Sequence, residues 1–136
     1  GIDRTTTAAR GLARIIDPPQ LILTSPKVRA AQTAAILGDV FDRVPQTLDC
    51  LADESPRTIW KQLRKRNDPS IAIVGHEPTF SQLVALLQCG EALDQRVELK
   101  KAGCAILRLD DSASNQPGVG TLTHLLPPKV LRELAG

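Results

Sequence analysis

The chain has 136 residues, of which 42% are hydrophobic and 24% charged, with 17 Lys/Arg against 15 Asp/Glu and a net charge of +2. That length supports a single domain, residues 1–136, able to bury about two-thirds of its unfolded surface, and the balance excludes a disordered chain. The near-neutral charge gives no field suited to nucleic acid, no apolar run reaches the roughly 18 residues of a membrane span, and no signal-peptide core opens the chain, so a cytoplasmic protein without nucleic-acid or membrane partners is expected.

Taken in chain order, Ala8–Ile16 reads as a helix closed by the breaker Asp17-Pro18-Pro19. Gln20–Ser25 is nearly continuous apolar sequence between turn signals, the pattern of a parallel strand buried on both faces. A helix follows from about Pro26 to Phe41, with Val28, Ala31, Ala35 and Val40 available to pack on a sheet. Val44–Leu48 reads as a short strand. Ser55-Pro56 opens a helix to about Arg66 that carries Ile59, Trp60 and Leu63 at helical spacing. Ile71–Gly75 is a second buried strand, and Pro78 starts a helix with Leu83, Leu86 and Leu87 on one face. Gly103–Leu109 and Val119–Leu125 alternate like half-exposed antiparallel strands around the Ser-, Asn-, Pro- and Gly-rich link Asp110–Gly120. Pro127-Pro128 precedes a C-terminal helix. This alternation is that of an α/β layer fold. Cys50, Cys89 and Cys104 lack the paired spacing of a zinc site, so buried free thiols and no metal are expected.

The two strongest strands end alike, in Thr24-Ser25-Pro26 and Gly75-His76-Glu77-Pro78. In an open α/β sheet both turns fall on the carboxyl edge, where ligands bind, and helix N-termini there favour an anion such as phosphate. Ser25 and Glu77 read as N-caps or near-caps. Arg29, in the first turn of its helix, leans back toward that edge and shares a stripe with Thr33, Ile36 and Val40. An anionic partner would satisfy its guanidinium, and a structural salt bridge or simple exposure would serve as well. His76 leaves a buried strand through Gly75 and can enter a crevice or play a structural part. Gly75–Thr79 lacks the serine of a hydrolase nucleophile elbow, and His124, on an extended segment, reads as structural. No phosphate-loop or dinucleotide-binding glycine pattern occurs.

Ser25-Pro-Lys-Val-Arg-Ala-Ala-Gln-Thr-Ala34 resembles the Ser-Pro-x-x-Arg-Ala-x-Gln-Thr-Ala motif of the histidine phosphatase superfamily, and Val74-Gly-His-Glu-Pro78 resembles its second-histidine motif. Leu99-Lys-Lys-Ala-Gly103 and Leu125-Leu-Pro-Pro-Lys129 are similar to stretches of its SixA-type phosphohistidine phosphatases. The resemblance implies a phosphoglycerate mutase-like three-layer α/β/α sandwich with a mostly parallel central sheet and an antiparallel edge. It also implies that Arg29 and His76 bind the phosphoryl group catalytically, without cofactor or metal. The expected substrate is a phosphohistidine protein or a small phosphomonoester. In that family the nucleophile is a histidine in an Arg-His-Gly motif that ends the central strand. The chain has no such motif, and Gly1–Thr7 is too short and polar to be that strand.

Three readings follow: an N-terminal segment carrying the nucleophile precedes Gly1, the protein binds phosphate without turnover as a pseudophosphatase, or the protein is permuted or split. The first is preferred, because removing a central strand would leave backbone groups unpaired in the interior; the lack of methionine at position 1 agrees with it. Asp53 and Glu54 are candidates for the acid that protonates the leaving group, beside the alternative of solvated loop carboxylates.

Overall fold

The computed structural model describes residues 2–53, 55–92, 98–99, 103–109 and 120–136. Elements run in the order α1 (Ile2–Ala13), β1 (Leu21–Thr24), α2 (Val28–Phe41), β2 (Gln46–Thr47), a 3₁₀ turn (Asp49–Ala52), α3 (Pro56–Leu63), β3 (Ile71–Val74), α4 (Thr79–Cys89), β4 (Cys104–Leu109), β5 (Gly120–Leu126) and α5 (Pro128–Leu134). The mixed α/β architecture is as expected. β1 is the middle strand of a parallel sheet ordered β2-β1-β3, and β4 and β5 form a separate antiparallel pair. The link predicted over Asp110–Gly120 lies outside the described residues, Gly120 excepted.

β1 is buried along its whole length, as a strand with partners on both edges and helices on both faces must be. Leu21 and Leu23 join Leu51, Ile59, Trp60, Leu83, Leu86 and Leu87 in one core, with Ile71, Ile73 and Leu107 packed against it. A second core unites Ala8, Leu12, Phe41 and Leu131, flanked by Cys104 and Ile106. β4 therefore contributes to both cores, as a strand in the central layer does.

Four expectations are corrected. The first helix starts at Ile2 and not Ala8: Asp3 lies in its first turn, where the helix dipole favours a carboxylate, and Thr7 Oγ1 donates to the Asp3 carbonyl at 2.9 Å. The buried face of α2 is Ala30, Ala34, Gly38 and Phe41, while Val28 is 70% exposed; small residues all round this helix concealed its phase. β3 is half-buried rather than buried, because among the described residues it is hydrogen-bonded on one edge only, to β1. Of the thiols, Cys50 and Cys104 are partly buried but Cys89, the last residue of α4, is exposed.

Candidate active site

The parallel register pairs Thr24 with Val74 and Thr24 with Thr47, so the carboxyl ends of β1, β2 and β3 lie level. Two backbone bonds extend the ladders beyond them, from Ser25 N–H to the Val74 carbonyl at 2.9 Å and from Leu48 N–H to the Thr24 carbonyl at 2.9 Å. Every segment carrying a proposed site residue therefore leaves the sheet at one edge.

His76 stands two residues beyond β3, and its carbonyl accepts the Phe80 N–H that opens the first turn of α4. Gly75 leaves room there for the Phe80 ring, which would have to turn aside for a Cβ at this position. His76 Nε2 lies 2.8 Å from Ser25 Oγ. Ser25 is fully buried, and its Oγ also accepts the Lys27 N–H at 3.2 Å. The imidazole pKa is lowered from its ordinary 6.5, first by desolvation and then by the positive charge of Lys27, so the neutral ring is favoured.

Arg29 occupies the first turn of α2, a turn with no acidic residue and no side-chain cap at its start. Its side chain is exposed, one of the alternatives its sequence position left open. Thr33, Ile36 and Val40 are indeed partly buried, but the helix end projects Arg29 beyond them. The structure records no hydrogen bond between Arg29 and His76, and the guanidinium has no carboxylate partner among the described residues. Lys27, at the N-cap position, adds a second exposed cation.

Glu77 caps α4. One carboxylate oxygen accepts the Ser81 N–H at 3.0 Å and the other accepts the Ser81 hydroxyl, while Ser81 Oγ accepts the Leu99 N–H at 3.1 Å. Ser25, bonded to both the Lys27 amide and His76, shapes the other turn. Leu99 also meets Leu125, Leu126 and Pro127 around a cavity of about 50 Å³, so the two later family-like stretches converge; residues 100–102 of the first lie outside the described residues. Asp53 ends the 3₁₀ turn that follows β2 and is exposed, on the same sheet edge but without a recorded bond to His76 or Arg29. Glu54 lies outside the described residues. His124 is exposed on β5, its Nδ1 3.0 Å from Thr123 Oγ1.

Among the described residues no group of three or more His, Cys, Asp or Glu comes together to hold a metal, and no helix is long and apolar enough to cross a membrane. A groove of about 410 Å³ opens between α1 and α2, lined by Thr6, Arg10, Ile36, Asp39 and Val40, away from this edge. Sequence reading missed Ser25 as the partner of His76, and Lys27 as a neighbouring charge. The signal for both is not local: parallel pairing of β1 with β3 brings the two turns side by side.

No protein-family model and no curated protein matches the sequence. Solved structures do. A SixA phosphohistidine phosphatase structure from Agrobacterium tumefaciens superposes with a TM-score of 0.74 at 22% identity, covering 94% of this chain and 80% of its own. A structure of the protein histidine phosphatase SixA complexed with tungstate gives a TM-score of 0.79 at 25% identity, covering 96% of this chain and 83% of its own. The fold is that of the SixA phosphohistidine phosphatases, and the structural neighbours support the SixA-type likeness to the histidine phosphatase superfamily that the two motifs carry.

Proposed function

We propose that the protein is a cytoplasmic, metal-independent phosphohistidine phosphatase working through a phosphohistidine enzyme intermediate. The observation that carries the proposal is the meeting of the two motifs: the Ser25–His76 bond joins them at one sheet edge, with the guanidinium of Arg29, which has no carboxylate partner among the described residues, one helical turn away. A planar, solvent-exposed guanidinium beside helix N-terminal amides is suited to grip two phosphoryl oxygens in parallel. The neutral imidazole of His76 donates a hydrogen bond to a third as charge shifts during transfer.

In this reading the nucleophilic histidine comes from a strand N-terminal to Gly1. Its place is the outer edge of β3, whose Ile71–Val74 backbone pairs only with β1 among the described residues. A strand there would lie between the half-buried β3 and the two-faced β4, with its end beside His76. In the first transfer the P–N bond of the substrate breaks as a P–N bond to the enzyme histidine forms, and the departing imidazole takes up a proton. Water then attacks phosphorus, the enzyme P–N bond breaks, and inorganic phosphate leaves. Asp53, by its place after β2, is one candidate proton donor, and Glu54, outside the described residues, is the other. A substrate imidazole leaves more readily than an alkoxide and needs less help from an acid, so the protonated form of a solvent-exposed carboxyl group, or water, can supply the proton. The exposed cations fit a phosphoryl group borne on a protein surface.

The test is phosphate release from a phosphohistidine protein by the complete protein, with aryl phosphate as the small-molecule comparison. Burst formation of an acid-labile phosphoenzyme supports the reading. Oxyanion binding without turnover by the folded, complete protein rejects it in favour of a pseudophosphatase that binds phosphate or phosphoprotein.

A further inference from the structure

We propose that Ser25 is a positioning residue that fixes the tautomer of His76, holding its proton on Nδ1 so that this N–H is the donor offered to the phosphoryl oxygen. The inference rests on the phosphatase reading for its functional consequence, and on hydrogen-bond accounting for its structure. Ser25 is fully buried, so its hydroxyl proton must find an acceptor within the protein; leaving it unpaired carries the desolvation cost of a buried donor with no return. Two groups reach Ser25 Oγ among the described residues, the Lys27 N–H at 3.2 Å and His76 Nε2 at 2.8 Å. The amide can only donate. The hydroxyl proton therefore goes to Nε2, which must carry a lone pair.

A neutral imidazole with Nε2 as acceptor has its proton on Nδ1. An imidazolium would place donors on both nitrogens and orphan the buried hydroxyl, and the lowered pKa of His76 agrees with its exclusion. The geometry of Ser25 is itself secured on two sides, by its own N–H to the Val74 carbonyl at 2.9 Å and by its carbonyl, which accepts Thr24 Oγ1–H at 3.0 Å. The backbone from which the hydroxyl reaches His76 is thus held in place. Ser25 itself touches no substrate; it acts by leaving His76 with one outward donor in a set orientation.

The experiment is ¹⁵N NMR of histidine-labelled complete protein, with His76 assigned by difference against His76→Gln, in wild type, Ser25→Ala and Ser25→Thr, alongside kcat and KM on one phosphohistidine substrate. The expected result is a protonated Nδ1 and a lone-pair Nε2 in wild type. Ser25→Ala should shift the population to the Nε2–H form and lower kcat by about 10-fold, with KM nearly unchanged, while folding is retained; Ser25→Thr should restore the Nδ1–H form and most of kcat. A protonated Nε2 in neutral wild-type His76, or a tautomer unmoved by Ser25→Ala, overturns the proposal even if the enzyme turns over. Should Ser25→Ala fail to fold, the wild-type spectrum and Ser25→Thr still decide the tautomer. A protonated Nδ1 in a protein with no turnover sustains the tautomer assignment and rejects the phosphatase reading instead.

Discussion

Gly11→Ala is a substitution on which two physical effects disagree in sign. In an isolated helix alanine is better than glycine by about 1 kcal/mol, so propensity alone makes the variant more stable. Gly11, however, lies where α1 meets α5: an added Cβ would sit 1.7 Å from the Leu131 carbonyl oxygen, 2.7 Å from its carbon and 3.3 Å from the Ala135 nitrogen. These are backbone atoms and cannot rotate away. Restoring ordinary contact requires the two helices to separate by roughly 1.5 Å, and a gap of 0.5–1 Å already forfeits a quarter to a half of the dispersion energy across an interface. The residues on that interface, Ala8, Leu12 and Leu131, are no more than 8% exposed. Overpacking of this kind costs about 3 kcal/mol, so the net loss is about 2 kcal/mol after the propensity gain. At roughly 3–5 °C per kcal/mol for a domain of this size, thermal unfolding followed by circular dichroism should show a Tm lower by about 6–10 °C. An unchanged or raised Tm would refute the close packing of α1 on α5.

Further outcomes follow from the same structure. Arg29→Lys should lose phosphatase activity by about 10²-fold, nearly as much as Arg29→Ala, because an ammonium cannot reproduce a two-pronged grip; activity of Arg29→Lys within a few-fold of wild type contradicts the assigned role. Ser55→Ala should lower stability by about 1 kcal/mol in urea titrations, since Ser55 Oγ accepts the Thr58 N–H at 3.3 Å at the start of α3. Burial pushes the Cys104 thiol up to about 11, whereas Cys89 is exposed. At pH 8 a thiol reagent followed by mass spectrometry should therefore modify Cys89 well before Cys104. For His76, a folded pKa below the ordinary 6.5 means that the unfolded chain binds the proton more readily. Its contribution to stability is then complete above about pH 6.5 and is lost as pH falls through the folded pKa. Unfolding free energy measured against pH should fall on the acid side of 6.5, and His76→Gln should flatten that slope.

β1 was legible because a strand paired on both edges shows a continuous apolar run, and α4 because Leu83, Leu86 and Leu87 repeat at helical spacing; both elements are buried as expected. The start of α3 was legible in Ser55-Pro56, whose capping chemistry is local. The packing phase of α2 was not, since Ala30, Ala31, Ala34 and Ala35 offer similar small faces and only tertiary contact selects Ala30 and Ala34. The half-exposure of β3 was hidden for a related reason: Ile71–Val74 reads as a two-sided strand whatever its position in a sheet. At the site, Arg29 and His76 could be placed at strand ends from local pattern. The Ser25–His76 bond joins residues 51 apart in sequence and depends on parallel register, which no local pattern carries.

The central claim is that Arg29 and His76 grasp one oxyanion at the shared carboxyl edge of β1 and β3. A crystal structure of the complete protein soaked with tungstate tests this most directly. A single ion within hydrogen-bonding distance of both the Arg29 guanidinium and the His76 imidazole is the predicted result, and a tungstate bound elsewhere, or touching neither side chain, would contradict it.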